Sequence, residues 1–208
     1  MQKKVDSYIT YNIHYIDFYI GQLKKDIAHH SDRLNFITAI MEYILFQKNT
    51  VLPLSSNGLD ACNSLIKVIN QWDIIKHGDI AGYIYQNIKD TDDKKKKGQY
   101  FTPPAIVQYM VEHALQYYDN PFTIKILDPA CGSGQFLIYA FQYLLSLYKK
   151  LGIPHDQAVH TICHNNLFGY DIDPVACLIA QWNLKKIAGT HANIFNKDML
   201  IKQDLFYK

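Results

Sequence analysis

The sequence predicts an α/β fold on a parallel sheet, preceded by an all-helical lobe, and three observations carry this prediction. Two short β-rich runs each end in an acid, Asp128 and Asp171. Apolar residues recur at helical spacing between and after these runs, and such alternation favours a parallel sheet with right-handed crossovers. Up to about residue 89 the sequence shows helical spacing alone, which is typical of a helical lobe.

The lobe is divided into helices by residues that cap or break them. The predicted helices lie within 8–48, with a break at 29–32, and at 59–72 and 80–88. Ser31 or Asp32 would cap the second of these helices, and Asp79 would cap the last. The next eight residues, 90–97, carry charges and no apolar side chain, so we interpret them as a linker.

The second predicted domain spans residues 98–208 and alternates strands with helices. Its predicted elements are a helix from Pro103-Pro104 to about 118, strand 124–127, helices 135–151 and 155–164, strand 167–170, helix 174–188 and strand 193–196. With 208 residues, of which 49% are hydrophobic, the chain has enough apolar material for such a core. It contains neither an apolar run long enough to cross a membrane nor a secretory signal, so we expect a cytoplasmic protein with reduced cysteines.

The stretch from Asp128 to Gly134 has the composition of a ligand-binding turn. Small residues follow the strand, so a ligand could lie directly on the backbone at the beginning of the next helix. Asp171 ends the next strand, where a carboxylate can accept two hydrogen bonds from a ribose. Ile172 would offer an apolar surface to an adenine ring, and Asp173 is interpreted as a helix cap.

A dinucleotide-binding dehydrogenase is the main competitor for this pattern. Its fingerprint requires a third glycine at the position that Leu137 occupies here. Recognition of a pyrophosphate is therefore disfavoured, and a cofactor with an adenosine but no phosphates fits better.

Three motifs, taken together, resemble one enzyme family. They are Gly98-Gln99-Tyr100-Phe101-Thr102-Pro103-Pro104, Asp128-Pro129-Ala130-Cys131-Gly132-Ser133-Gly134 and Gly169-Tyr170-Asp171-Ile172-Asp173-Pro174. Their order is similar to that of gamma-type adenine-N6 DNA methyltransferases of restriction–modification systems. The resemblance covers about residues 79–198 and implies a class I, Rossmann-like methyltransferase sheet that binds S-adenosyl-L-methionine.

The resemblance also implies roles for individual residues. Tyr100, Phe101 and Thr102 would close over the methionine end of the cofactor. Asp128, Ala130 and Gly132 would line its methionine and sulfonium side, Asp171 would bind the ribose, and Ile172 would contact the adenine. Asp198 would accept from the amino group of the cofactor's adenine, with Met199 beside it.

One departure from the family limits these expectations. The Asn-Pro-Pro-Tyr motif, which holds the target amine of a flipped-out adenine, does not occur between Asp198 and Lys208. No catalytic residue is therefore assigned, and we expect a partner polypeptide, or a region outside these residues, to supply the motif and to read the DNA. An incomplete sheet would leave an exposed strand edge and apolar surface.

Two alternatives remain open, and one further site is disfavoured. The chain could be a non-catalytic remnant that binds a restriction–modification partner, or a methyltransferase acting on RNA or a small molecule. His155, His160, Cys163 and His164 cluster in sequence without a recognisable zinc spacing, so no metal site is expected.

Overall fold

The computed structural model describes residues 2–47, 51–89 and 102–199, with the backbone alone for 2–12 and 76. Its contacts divide the chain into two units, residues 1–101 and 102–208. The predicted linker at 90–97 lies outside the described residues. None of the described helices is both long and apolar enough to span a bilayer.

The described part of the first unit consists of helices. They are α1 (Gln2–Ala28), α2 (Arg33–Phe46), α3 (Ser56–Gln71), α4 (Ile74–His77) and α5 (Ile80–Ile88). Two predicted caps are confirmed, since Asp32 accepts from the amide of Asn35 and Asp79 from the amide of Gly82. The short helix α4 was not predicted.

The helices of the first unit pack through one stripe of α1. Ile16, Ile20, Leu23 and Ile27 recur at helical spacing and are at most 5% exposed. A polar contact adds to this packing, because the Asp26 carboxylate accepts from both the amide and the hydroxyl of Ser55, the N-cap of α3. Burial and capping therefore fix α1 against α3.

The second unit contains strands and helices in alternation. Its elements are α6 (Pro104–Leu115), a 3-10 turn (Pro121–Thr123), β1 (Ile126–Asp128), α7 (Gln135–Lys150), α8 (His155–Thr161), a π-helical turn (Ile162–Asn166), β2 (Leu167–Asp171), α9 (Pro174–Ala188) and β3 (Asn193–Asn196). The three strands form one parallel sheet in the order β1-β2-β3. The predicted fold class, an incomplete Rossmann-like sheet preceded by helices, is confirmed.

Helices α7 and α9 lie on the same face of this sheet. A Cβ added to Gly134, just before α7, would lie 3.1 Å from the Cβ of Ala180 in α9. A Cβ on Gly169 in β2 would come within 2.7 Å of Leu137 in α7, so Gly169 also points to this face. Side chains alternate along a strand, and Phe168 and Tyr170 therefore point to the opposite face.

Several predicted boundaries are wrong. The helix predicted at 59–72 begins at Ser56, and the helix predicted to reach about residue 118 ends at Leu115. The first strand begins at Ile126 rather than residue 124, because the buried Asn166 side chain donates to the carbonyls of Pro121 and Ile124. That backbone is thereby satisfied by a side chain instead of a neighbouring strand. The helix predicted to reach residue 164 ends at Thr161 and continues as the π-helical turn.

The expected open edge and apolar surface are present among the described residues. Strand β1 ends the sheet, and its only described neighbour is β2. Leu127 aligns with Phe168 on the face opposite α7 and is 48% exposed; Phe195 lies on the same face, with its ring 5.0 Å from that of Tyr170, and is 43% exposed. We call this surface, defined by Leu127, Phe168, Tyr170 and Phe195, the outer face.

Candidate functional site

The loop at residues 129–134 connects β1 to α7 and lies across the carboxyl end of β2. The Cys131 amide donates to the Tyr170 carbonyl, and the Gly132 amide donates to the Asp171 carboxylate. Both donor–acceptor distances are 2.8 Å. The loop is closed by a third bond, from the Gly134 amide to the Cys131 carbonyl. The second and third of the three predicted motifs, at 128–134 and 169–174, are thus brought together by direct hydrogen bonds.

Asp171 shapes this site as well as lying in it. One of its carboxylate oxygens accepts from Gly132, and the other accepts from the Asp173 amide at 2.8 Å. Asp173 in turn accepts from the amides of Val175 and Ala176, which confirms its predicted role as the cap of α9. Each oxygen of Asp171 has a second lone pair, so the carboxylate retains capacity for the hydroxyl groups of a ligand.

Asp128 lies at the end of β1 and accepts fewer hydrogen bonds than Asp171. It accepts one bond, from the Ala130 amide at 3.2 Å. Burial raises the pKa of Asp128 above its ordinary value, and the charge of Asp171 raises it further, while the bond from Ala130 lowers it. Two carboxylates that influence each other at adjacent strand ends favour a ligand that carries positive charge or hydroxyl donors.

Two glycines give the loop its shape, for different reasons. Both have a left-handed backbone, with φ of +54° at Gly132 and +88° at Gly134. A Cβ on Gly132 would meet no heavy atom within 4 Å, so the backbone there faces open space. At Gly134 the Cβ would press on Ala180, so this glycine permits the close approach of α7 and α9.

Asn183 is a loop anchor that the sequence reasoning missed. Its side chain in α9 is completely buried and donates to the Ser133 carbonyl at 2.9 Å. An asparagine within the apolar pattern of residues 174–188 is the signal that could have revealed it, because a buried amide requires partners.

The remaining predicted residues on the sheet lie around Asp171. Ile172 follows it and is 63% exposed, so its side chain is available to a ligand. The Asp171 carbonyl accepts from the Lys197 amide and from the Asn196 side chain, which brings the segment after β3 to this strand end. Asp198 and Met199 come next in that segment and are half-buried.

The predicted cofactor lid is only partly within the described residues. Tyr100 and Phe101 lie outside them. Thr102 is half-buried and precedes α6, and no hydrogen bond within the described ranges joins it to Asp128 or Asp171. The structure therefore brings the strand-end residues together and leaves the role of the lid as a prediction.

The cysteines and histidines nearby have structural explanations. Burial raises the pKa of the Cys131 thiol, and it raises the pKa of Cys177 to about 11, so neither thiol is ionised at neutral pH. Cys163 is buried, and the exposed His160 and His164 rings stack with centroids 4.3 Å apart. Within 2–47, 51–89 and 102–199 no cluster of three or more potential metal ligands occurs.

Comparison with known proteins identifies the family of the chain. A model of the N-6 DNA methylase family matches residues 73–206, which is more than half of the sequence. The chain belongs to the N-6 DNA methylase family. The resemblance predicted from the three motifs is thereby confirmed.

Relatives of this N-6 DNA methylase chain include an adenine-specific methyltransferase and a methylase subunit of a type I restriction enzyme. The adenine-specific methyltransferase PglX of Lacticaseibacillus casei is 32% identical over 46% of this chain and 13% of its own length. The methylase subunit of the type I restriction enzyme EcoEI from Escherichia coli is 30% identical over 45% of this chain and 21% of its own length. The matched part is therefore a small fraction of these relatives.

A solved structure also resembles this member of the N-6 DNA methylase family. It is a modification subunit of a type I restriction enzyme from Vibrio vulnificus, 18% identical, with a TM-score of 0.44. The similarity covers 76% of this chain and 31% of that one.

Proposed function

We propose that this chain is the S-adenosyl-L-methionine-binding part of a DNA adenine-N6 methyltransferase of a restriction–modification system. The observation that carries the proposal is the joining of two strand ends, in which the Asp171 carboxylate holds the Gly132 amide of the small-residue loop. Ligands of open α/β sheets bind beyond the carboxyl ends of the strands. The relatives named as adenine-specific methyltransferases and methylase subunits support the reaction.

The side chains at this edge of the sheet fit an adenosine that carries a sulfonium and an amino acid. Asp171 would accept from the ribose hydroxyls, and the exposed Ile172 would lie against the adenine ring. The open space above Gly132 leaves room for the ligand against the backbone, and the half-buried Asp128 would favour the positive sulfonium. Asp198 would accept from the adenine amino group, with Met199 adjacent, and Tyr100, Phe101 and Thr102 would cover the methionine end.

The role of this chain in the reaction is positioning. S-adenosyl-L-methionine supplies an electrophilic methyl group on its sulfonium. The residues at the strand ends would hold that methyl group in a fixed direction, and positioning of two reactants is a large part of catalysis. The target amine of a flipped adenine would be held by a motif that these residues lack, so we assign no catalytic residue to the chain.

The open edge of β1 and the outer face support the proposal that another polypeptide segment covers them. Parallel sheets are covered on both faces in stable proteins, whereas Leu127 and Phe195 here are 48% and 43% exposed. A groove of about 320 Å³ lies next to this edge, and its lining includes Met110, Leu127 and Phe136. A partner that completes the sheet would carry the catalytic motif and the recognition of DNA, and the assembly would work in the cytoplasm.

Calorimetric titration with S-adenosyl-L-methionine tests the binding proposal. We expect one site per chain in the wild type and an affinity about tenfold weaker in Ile172→Ser, because loss of a buried apolar contact removes roughly 1.5 kcal/mol. Leu151→Ser is the matched control, since Leu151 is 52% exposed beyond the end of α7. Absence of binding in the wild type would overturn the proposal.

Transfer of a radioactive methyl group to DNA tests the need for a partner. The purified chain should label DNA no better than a blank, and methylation by the chain alone would show that the catalytic residues lie within it. A second candidate function, a non-catalytic interaction subunit, is favoured by the same open edge and outer face. The titration separates the two, because an interaction subunit need not bind the cofactor.

A further inference from the structure

Asn196 is the last residue of β3, and its side chain bonds to the end of β2. The parallel register aligns Asn196 with Asp171, and the Nδ2 of Asn196 donates to the Asp171 carbonyl at 2.9 Å. The Lys197 amide donates to the same carbonyl, also at 2.9 Å. A main-chain carbonyl has two lone pairs, so these two donors saturate it.

The bond from Asn196 is additional to the pairing of the sheet. The Lys197 amide already satisfies the Asp171 carbonyl, as a parallel ladder requires. Asn196 is also exposed, so water can replace its amide with little change in the stability of the fold. The consequence of the bond is local, because it fixes the backbone of β3 at the residue where the chain leaves the sheet.

The segment that leaves the sheet at this point, 197–199, is part of the proposed site. Asp198 comes two residues after Asn196 and is half-buried. The carbonyl that Asn196 bonds belongs to Asp171, whose carboxylate would bind the ribose. Helix α9 reaches the same junction through Cys177, whose sulfur lies 3.5 Å from this carbonyl. One residue of β2 therefore links the proposed ribose position with the backbone that leads to Asp198.

We propose that Asn196 is a positioning residue for recognition of the cofactor's adenine, an inference that rests on the function proposed above. Its bond to Asp171 fixes the segment after β3 so that the Asp198 carboxylate meets the adenine amino group. A carboxylate only accepts hydrogen bonds, so it favours an amino group and opposes an oxygen at the same position. The site should therefore discriminate adenine from hypoxanthine, which carries an oxygen there, and this discrimination should depend on Asn196.

Two ligands that differ in the purine alone test the inference. S-Adenosyl-L-homocysteine is what remains of the cofactor after transfer of the methyl group, and S-inosyl-L-homocysteine is its hypoxanthine counterpart. Calorimetric titration of the wild type should show a preference of about tenfold or more for the first ligand, because a charge-assisted hydrogen bond is at stake. In Asn196→Ala this preference should fall about fivefold, while the melting temperature should fall by no more than about 2 °C.

Asn193→Ala is the matched control, because Asn193 is the first residue of the same strand. Its Nδ2 donates to the carbonyls of His164 at 2.9 Å and Leu167 at 3.3 Å, at the opposite end of β3. This variant should keep the preference of the wild type. A second variant, Asn196→Asp, keeps the shape of the side chain but has no donor, and it should lose the preference as Asn196→Ala does.

The possible outcomes separate this inference from the proposed function. A wild type that binds neither ligand would remove the proposed function and this inference with it. A wild type that prefers adenine, with the same preference in Asn196→Ala or Asn196→Asp, would overturn the role of Asn196 alone. Equal affinity of the wild type for the two ligands would also overturn it, as would an equal fall in Asn193→Ala, because the strand as a whole would then be responsible.

Discussion

The carboxyl ends of β1 and β2 lie side by side, but they hold their acids differently. Asp171 at the end of β2 accepts two main-chain amides, both at 2.8 Å, one of them from the loop that follows β1. Asp128 at the end of β1 accepts one, at 3.2 Å, and burial raises its pKa. The first acid is thus part of the scaffold, whereas the charge of the second is poorly compensated by the protein.

This difference shows that two acids at neighbouring strand ends can have different roles. Asp171 mainly stabilises the fold, whereas the charge of Asp128 is left for a ligand to compensate. Asp171 accepts two main-chain amides where Asp128 accepts one, so the fold depends more on the oxygens of Asp171. Replacing each acid by asparagine, which has the same shape, should therefore change stability in opposite directions.

Asp171→Asn should give the largest effect. The variant keeps one acceptor oxygen, and its new amide group faces a main-chain N–H, so one donor at the strand end is left unpaired. We expect the free energy of unfolding at pH 7 to fall by about 2–3 kcal/mol. Urea unfolding followed by tryptophan fluorescence measures it, since Trp182 lies in α9 of the same unit and Trp72 contributes a signal common to all variants.

Asp156→Asn is the control for this substitution. Asp156 is exposed in the first turn of α8, where removal of the charge should cost no more than about 0.5 kcal/mol. Equal stability in Asp171→Asn and Asp156→Asn would contradict the role of Asp171 as a support of the loop.

Asn183→Ala should give an effect of intermediate size. It removes the side chain that donates to Ser133, and it leaves a small cavity in the packing of α9. We expect a loss of about 1–2 kcal/mol in the free energy of unfolding, measured in the same way. Asn196→Ala is the comparison, because Asn196 makes a bond of the same length at an exposed position where water can replace it.

A loss in Asn196→Ala as large as in Asn183→Ala would count against burial as the source of the effect. It would indicate that the segment after β3, which Asn196 holds to Asp171, contributes as much to stability as the loop does.

Much of the fold could be predicted because its signals are local. Periodicity and capping gave α5, α9 and β3 with their observed boundaries, and the cap at Asp173 is confirmed. Phe18 shows the limit, since it is a large apolar residue of α1 and is nevertheless 60% exposed. The buried stripe is chosen by what packs against the helix, and the sequence of one helix does not contain that information.

The same limit applies to the site. The family motifs predicted that Asp128, Gly132 and Asp171 lie at one edge of the sheet, because the motifs mark the strand ends. The contacts between them could not be predicted, since they join residues 39 or more positions apart. Asn183 was missed for this reason, because its partner, the Ser133 carbonyl, lies 50 positions away in the sequence.

The smallest of these effects is expected for Asp128→Asn, and it is a gain in stability rather than a loss. Its Oδ1 would still accept from Ala130, while the half-buried charge is removed. The raised pKa sets the sign: as pH rises through the ordinary value of Asp, the unfolded chain loses its proton before the folded one, so the wild type loses stability. Stability curves of the two proteins should therefore coincide below that pH and separate above it, with the variant more stable at pH 7. A variant less stable than the wild type at pH 7 would mean that the charge of Asp128 is as well supported as that of Asp171.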